Sequence, residues 1–194
     1  MKYARATVFV ASFCLMTVEL LAGRVMAPYL GVSLYTWTAV IGVILLGVTV
    51  GNYAGGRLAD RRLSHALLGA CFGGAGLSVG LSLVLAPLVG PWLEFSDWRL
   101  PVATAVFCLL LFFPAAFFLS TVSPQVVKFD LQDLQQTGTT IGTLGAWSAF
   151  GSIVGTFATG FIFTMYFGTH RLLVVLAALL VAFGVSIAAQ HKRI

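Results

Sequence analysis

The stretch ATVFVASFCLMTVELLAGRVMA, residues 6–27, decides the fold. A helix needs about 20 apolar residues to cross the hydrocarbon core of a bilayer, and this run is long enough. It carries one acid, Glu19, deep inside the run, and one base, Arg24, near its far end. Five further apolar segments follow, at roughly 33–57, 66–88, 100–122, 138–163 and 171–190. The pattern predicts an all-α integral membrane protein in which six transmembrane helices form a single domain over residues 1–194. Only 9% of the 194 residues are charged and 59% are hydrophobic, whereas soluble domains carry about 25% charge. No stretch remains for a separate soluble domain. The first segment is too long for a signal-peptide core, lacks a clear small-residue cleavage site and is followed by more spans, so it is expected to be retained.

Lysine and arginine set the orientation. With the N-terminus inside, the inner side holds Lys2, Arg5, Arg57, Arg61, Arg62, Lys128, Lys192 and Arg193, and the outer side holds Arg24, Arg99 and Arg171. This excess predicts cytoplasmic N and C termini in the cell inner (plasma) membrane, with the lipid bilayer as first partner. The net charge of +5 then lies mostly against the inner leaflet. Nucleic acid is not an expected partner, because there is no soluble fold to carry a basic groove. Cys14, Cys71 and Cys108 sit inside apolar runs without ligand spacing and read as small hydrophobes. His65, His170 and His191 fall at different membrane edges. No metal site, cofactor or catalytic set is expected, and the chain does not read as an enzyme.

The loops are short. Gly90–Arg99 carries Trp92, Phe95 and Trp98 at spacings of three, which suits a short turn at headgroup depth. Pro124–Thr137 carries Val127, Leu131 and Leu134 at helical spacing among Lys128, Asp130 and Asp133, which predicts an interfacial helix on the inner face. Pro101 suits the first turn of the fourth span. Pro114, in mid-span, removes one backbone hydrogen bond and is expected to kink that helix.

Glycine recurs every four residues, at 47, 51 and 55, at 69 and 73, at 76 and 80, at 138 and 142, and at 151 and 155. Small residues at this spacing let helix backbones approach closely. They predict tight packing within one bundle. Ser148, Ser152, Thr156 and Thr159 form a narrow polar stripe on the fifth span. Hydroxyls can bond their own helix carbonyls, so such a stripe either packs or lines a cavity. Glu19 sharpens the choice. An ionised carboxylate at that depth costs about 2.5–3.5 kcal/mol on insertion scales unless it is paired, hydrated or protonated. Glu19 and Arg24 lie about 140° apart around the helix, poorly placed to pair. An acid in a polar cavity is a proton-coupling or cation-binding site; the structural alternative is a carboxyl bonded across the bundle. Glu19, Arg24, Ser148, Ser152 and Thr156 are therefore the candidate substrate and proton residues.

Between the second and third spans stands Gly55-Gly56-Arg57-Leu58-Ala59-Asp60-Arg61-Arg62. Asp60 is placed to cap the next helix or to pair with neighbouring arginines. The stretch resembles the inner-loop signature of the major facilitator superfamily, although Leu63-Ser64-His65 follows where that pattern usually continues with Gly-Arg. A second resemblance covers Glu19 to Arg24, Ala27-Pro28-Tyr29, Gly31, Ser33, Trp37 and the glycine ladder to Arg61, and again Gly142-Thr143-Leu144-Gly145 to Gly160. These residues look like the membrane domain of fused major facilitator/spermidine synthase proteins. The resemblance implies half of a major-facilitator-like bundle, with Gly56, Arg57, Asp60 and Arg61 as an inner-loop gating motif. In that family a synthase-like soluble domain usually follows, whereas this chain stops at His191-Lys192-Arg193-Ile194. Two functions are thus expected. One is a half-size transporter, working as a homodimer, for a small polar, cationic, polyamine-like solute. The other is a membrane anchor for a separately encoded synthase-like enzyme.

Overall fold

A computed structural model describes residues 3–95, 98–131 and 137–190. Lys2, Asp133, Leu134, His191, Lys192 and Arg193, which enter the expectations above, lie outside the described residues. Every regular element among the described residues is helical. They are α1 (Ala4–Leu30), α2 (Leu34–Arg61), α3 (His65–Glu94), α4 (Leu100–Leu111), α5 (Phe113–Ser120), α6 (Val122–Asp130), α7 (Thr137–Phe157), α8 (Thr164–Tyr166) and α9 (Thr169–Gln190). A π-helical segment, Ala158–Phe163, joins α7 to α8. Five helical stretches are long and apolar enough to cross a membrane, and α4 with α5–α6 makes a sixth if the bent pair is one span. The architecture is that of a multi-pass membrane protein.

The helices outrun the expected spans. The second reaches Arg61 and the third Glu94, so the first half of the expected third loop, Gly90–Glu94, is helix. At 1.5 Å per residue the 30-residue α3 is about 45 Å long, the thickness of a bilayer with its headgroup layers. Trp92 still meets Trp98 edge to face, at 5.7 Å. Side chains define the starts: Ser33 and Thr36 close a capping box on α2, and Ser64 accepts the Leu67 N–H at 3.0 Å to begin α3. The expected kink is present, with a 49° bend between α4 and the pair α5–α6. It falls at Phe112, where Pro114 opens α5 and leaves the Leu110 carbonyl without its helical donor. The separate interfacial helix expected over 124–137 is corrected for residues 124–130, and its positions 132–136 lie outside the described residues. α6 continues the fourth span, with Gln125 and Val126 buried, because Pro124 falls in its first turn, where a missing N–H loses nothing.

Three helix pairs form the bundle, each closed by a glycine seam. Gly47, Gly51 and Gly55 of α2 lie against Ala116, Phe117 and Thr121 in rising order, so α2 runs parallel to α5–α6. Gly151 and Gly155 of α7 lie on the backbone of Phe9 and Phe13, making α1 and α7 parallel too. Gly69 and Gly76 of α3 meet Gly184 and Ala177 of α9 in falling order, so that pair is antiparallel. A methyl group at Gly55 would sit 2.7 Å from Thr121 Cα, and one at Gly155 would sit 2.6 Å from the Phe13 carbonyl oxygen. Gly138 and Gly142 meet nothing within 4 Å among the described residues, so their spacing marks no seam there. Phe72, Phe107, Phe112, Leu21 and Met26 fill the shared core, while large apolar side chains such as Leu45, Leu81, Phe161 and Val185 project outward.

Two substitutions on one helix test the seams. Gly51→Ala overlaps the Phe117 carbonyl and Ser120 and is expected to lower stability by about 1–3 kcal/mol. Gly42→Ala meets nothing within 4 Å and is expected to be neutral or stabilising by up to about 1 kcal/mol. Reversible unfolding in detergent micelles measures both.

Candidate functional site

Most hydroxyls inside these helices satisfy themselves locally. Thr17 donates to the Phe13 carbonyl at 2.9 Å, Thr49 to Leu45 at 2.8 Å, Ser78 to Gly74 at 2.7 Å and Thr156 to Ser152 at 2.8 Å. Others tie helices together. Ser12 of α1 bonds Ser148 of α7 at 2.6 Å, and Thr159, whose hydroxyl is fully buried in the π-helical segment, bonds Thr17 at 2.9 Å. The polar stripe of α7 is thus used for packing at two of its four positions. Each such bond contributes on the order of 0.6 kcal/mol inside a membrane.

Two buried side-chain atoms among the described residues have no such partner, the Ser120 hydroxyl and the Gln125 Oε1. Ser120, at the end of α5, is 6% exposed, and its hydroxyl makes no hydrogen bond. Leaving a buried hydroxyl unbonded costs about 1–3 kcal/mol. It lines a crevice of about 120 Å³ with Ser12, Asn52, Ser123 and Ser148, at the junction of α1, α2, α5–α6 and α7. The seam explains the placement. Gly51 brings the α2 backbone onto Ser120, and the next residue, Asn52, then borders the opening.

Glu19 stands two turns beyond Ser12 and one beyond Leu15 on the same strip of α1, and Leu15 also lines the crevice. Its side chain is half-buried. Among the described residues it makes no hydrogen bond and no ion pair. One turn further, Gly23 and Arg24 border a second crevice of about 230 Å³, together with Trp37, Gly160 and Thr164. Glu19 therefore lies on α1 between two openings. Arg24 is exposed and does not reach it, as their angular separation predicts.

The remaining candidates divide. Ser152 and Thr156 continue the α7 strip one and two turns past Ser148, and both are half-buried. Because α1 and α7 are parallel, both strips lead away from the Ser12–Ser148 bond in the same direction. Gly56 is open to its surroundings, and Arg61 is the exposed last residue of α2. Arg57 stacks on Tyr53, 4.5 Å from the ring centroid. Asp60 neither caps α3 nor pairs with an arginine; it forms an ion pair with Lys128 of α6, and Ser64 does the capping. That exposed pair contributes about 0–1 kcal/mol. It fastens the end of α2 to the end of the bent fourth span. The three cysteines are free and buried, and the described residues contain no His/Cys/Asp/Glu cluster able to hold a metal.

Sequence reasoning missed Ser12, Asn52, Ser120 and Ser123. Ser12 was the most accessible of these, being seven residues before Glu19 and so on its face. Comparison of the chain with family models, curated proteins and solved structures yields no match.

The crevice gives a direct expectation for thiol labelling. Asn52→Cys and Ser123→Cys are expected to react with a small, membrane-impermeant methanethiosulfonate in a Cys14/Cys71/Cys108-free background. The native cysteines, all buried, are expected to stay unlabelled in the folded protein. Mass spectrometry of the intact chain reads the result.

Proposed function

We propose that this chain is a half-size membrane transporter for a small, polar, cationic solute. Two copies form the working unit, and Glu19 of each engages the solute or a coupling proton. The observation that carries this reading is the half-buried, unpartnered Glu19 carboxylate, placed between two crevices on α1. A charge at that depth needs a proton, water or a cationic partner, and the protein supplies no counter-charge to it among the described residues. Ser12, Asn52, Ser120 and Ser123 offer neutral donors and acceptors to the polar part of a cargo. Transporters built from repeats bind substrate between two repeats, and a six-span unit supplies one. The likeness of residues 19–62 to fused major facilitator/spermidine synthase membrane domains makes polyamines the first solutes to try, in the cell inner membrane, with Gly56, Arg57, Asp60 and Arg61 as the gating segment.

Proteoliposomes under an imposed proton gradient test this. A charge-assisted contact is worth about 1.5–3 kcal/mol, so Glu19→Gln is expected to slow uptake of a cationic solute below saturation by about 10–100-fold. Wild-type vesicles that move no cationic solute, or uptake indifferent to Glu19→Gln, would contradict the reading.

The exposed row Arg57, Arg61 and Arg62 favours a second reading, in which this end of the bundle recruits a soluble synthase-like enzyme. Under it, a stoichiometric partner co-purifies from native membranes and is lost when the three arginines are changed to glutamate.

A further inference from the structure

A cleft opens between α1, the π-helical segment that follows α7, and the first half of α9. At its floor lie Phe13 and Thr17 of α1. Phe163, at the end of the π-helical segment, forms one wall, edge to face with Phe13 at 6.3 Å. Leu172, Val175, Leu176 and Leu179 of α9 form the other. The groove measures about 370 Å³. Its floor offers no free polar group, because the Thr17 hydroxyl already donates to the Phe13 carbonyl and accepts from Thr159. A polar solute has nothing to bond there.

Arg171 stands at one end of this groove, exposed, with no ion pair among the described residues. From Arg171 to Leu179 the groove follows α9 for about 12 Å. Half of a bilayer's hydrocarbon core is about 15 Å thick. A cation at the rim and an apolar channel of nearly one leaflet's depth fit a phospholipid with net negative charge. Its phosphate meets the guanidinium in a charge-assisted, bidentate contact, and one acyl chain fills the groove.

We infer that the cleft between the π-helical segment and α9 is a binding site for one anionic phospholipid, with the phosphate on Arg171 and an acyl chain against Phe163, Val175 and Leu176. The site is independent of the transport reading, since its only residue near the Glu19 region, Thr17, has its hydroxyl turned into the α1–α7 seam.

Native mass spectrometry of the protein released from nanodiscs of phosphatidylglycerol and phosphatidylcholine in equal amounts tests it. The wild type is expected to retain one lipid, with phosphatidylglycerol preferred. Arg171→Gln is expected to reduce that preference about fivefold, and Arg171→Lys to keep part of it. Val175→Trp, at an exposed position that leaves the core intact, is expected to fill the groove and displace the lipid. Equal retention of the two lipids by the wild type overturns the inference, as does unchanged preference in Arg171→Gln. If Val175→Trp leaves lipid retention intact but dissociates a dimer, a second copy covers the groove and the inference also fails.

Discussion

A polar side chain inside a bilayer has no water to fall back on, and the rest of this structure is arranged around that constraint. Hydroxyls along the helices bond the carbonyl one turn back, or a hydroxyl on the next helix. Against that background Glu19, Ser120 and the Gln125 Oε1 stand out, because none of them has a partner among the described residues. Ser120 lines the crevice where α1 meets the α2 and α5–α6 pair, and Glu19 lies one turn beyond Leu15 of that crevice on α1.

The junction exists because glycine lets three helix pairs close to backbone contact. Within lipid there is no hydrophobic drive between helices, so such close approach supplies much of the cohesion. The seams also set geometry. Gly51 on Ser120 places Asn52 at the crevice, and Gly151 on Phe9 fixes the register that aligns Ser148 with Ser12. Past the bend at Phe112, α5–α6 follows the α2 glycine seam, and the Asp60–Lys128 pair fastens its end. Packing and site are therefore the same set of contacts seen from two sides.

The spans were legible because apolar runs of about 20 residues have one stable form in lipid. Their ends were not, since α2 continues through Leu58-Ala59-Asp60-Arg61 and α3 through Val89–Glu94 before a short loop stops each. The same cause merged the expected interfacial helix into the fourth span. Glycine spacing predicted close approach at 47, 51 and 55, at 69 and 73, at 76 and 80, and at 151 and 155, but it could not name the facing helix. It also marked Gly73, Gly138 and Gly142, whose added methyl groups would meet nothing within 4 Å among the described residues. Glu19 was conspicuous as a charge among apolar residues. Ser120 was not, because a serine in such a run nearly always bonds its own helix; only the fold reveals that this one does not. The partner of Asp60 lies 68 residues away, beyond the reach of local spacing.

The central claim is that solvent or cargo reaches the Glu19 carboxyl. Infrared difference spectroscopy on protein in lipid nanodiscs tests it most directly. The account predicts a carboxyl band that follows bulk pH, shifts on adding a cationic solute and is absent in Glu19→Gln. A Glu19 band unmoved by pH and by every added solute would contradict it.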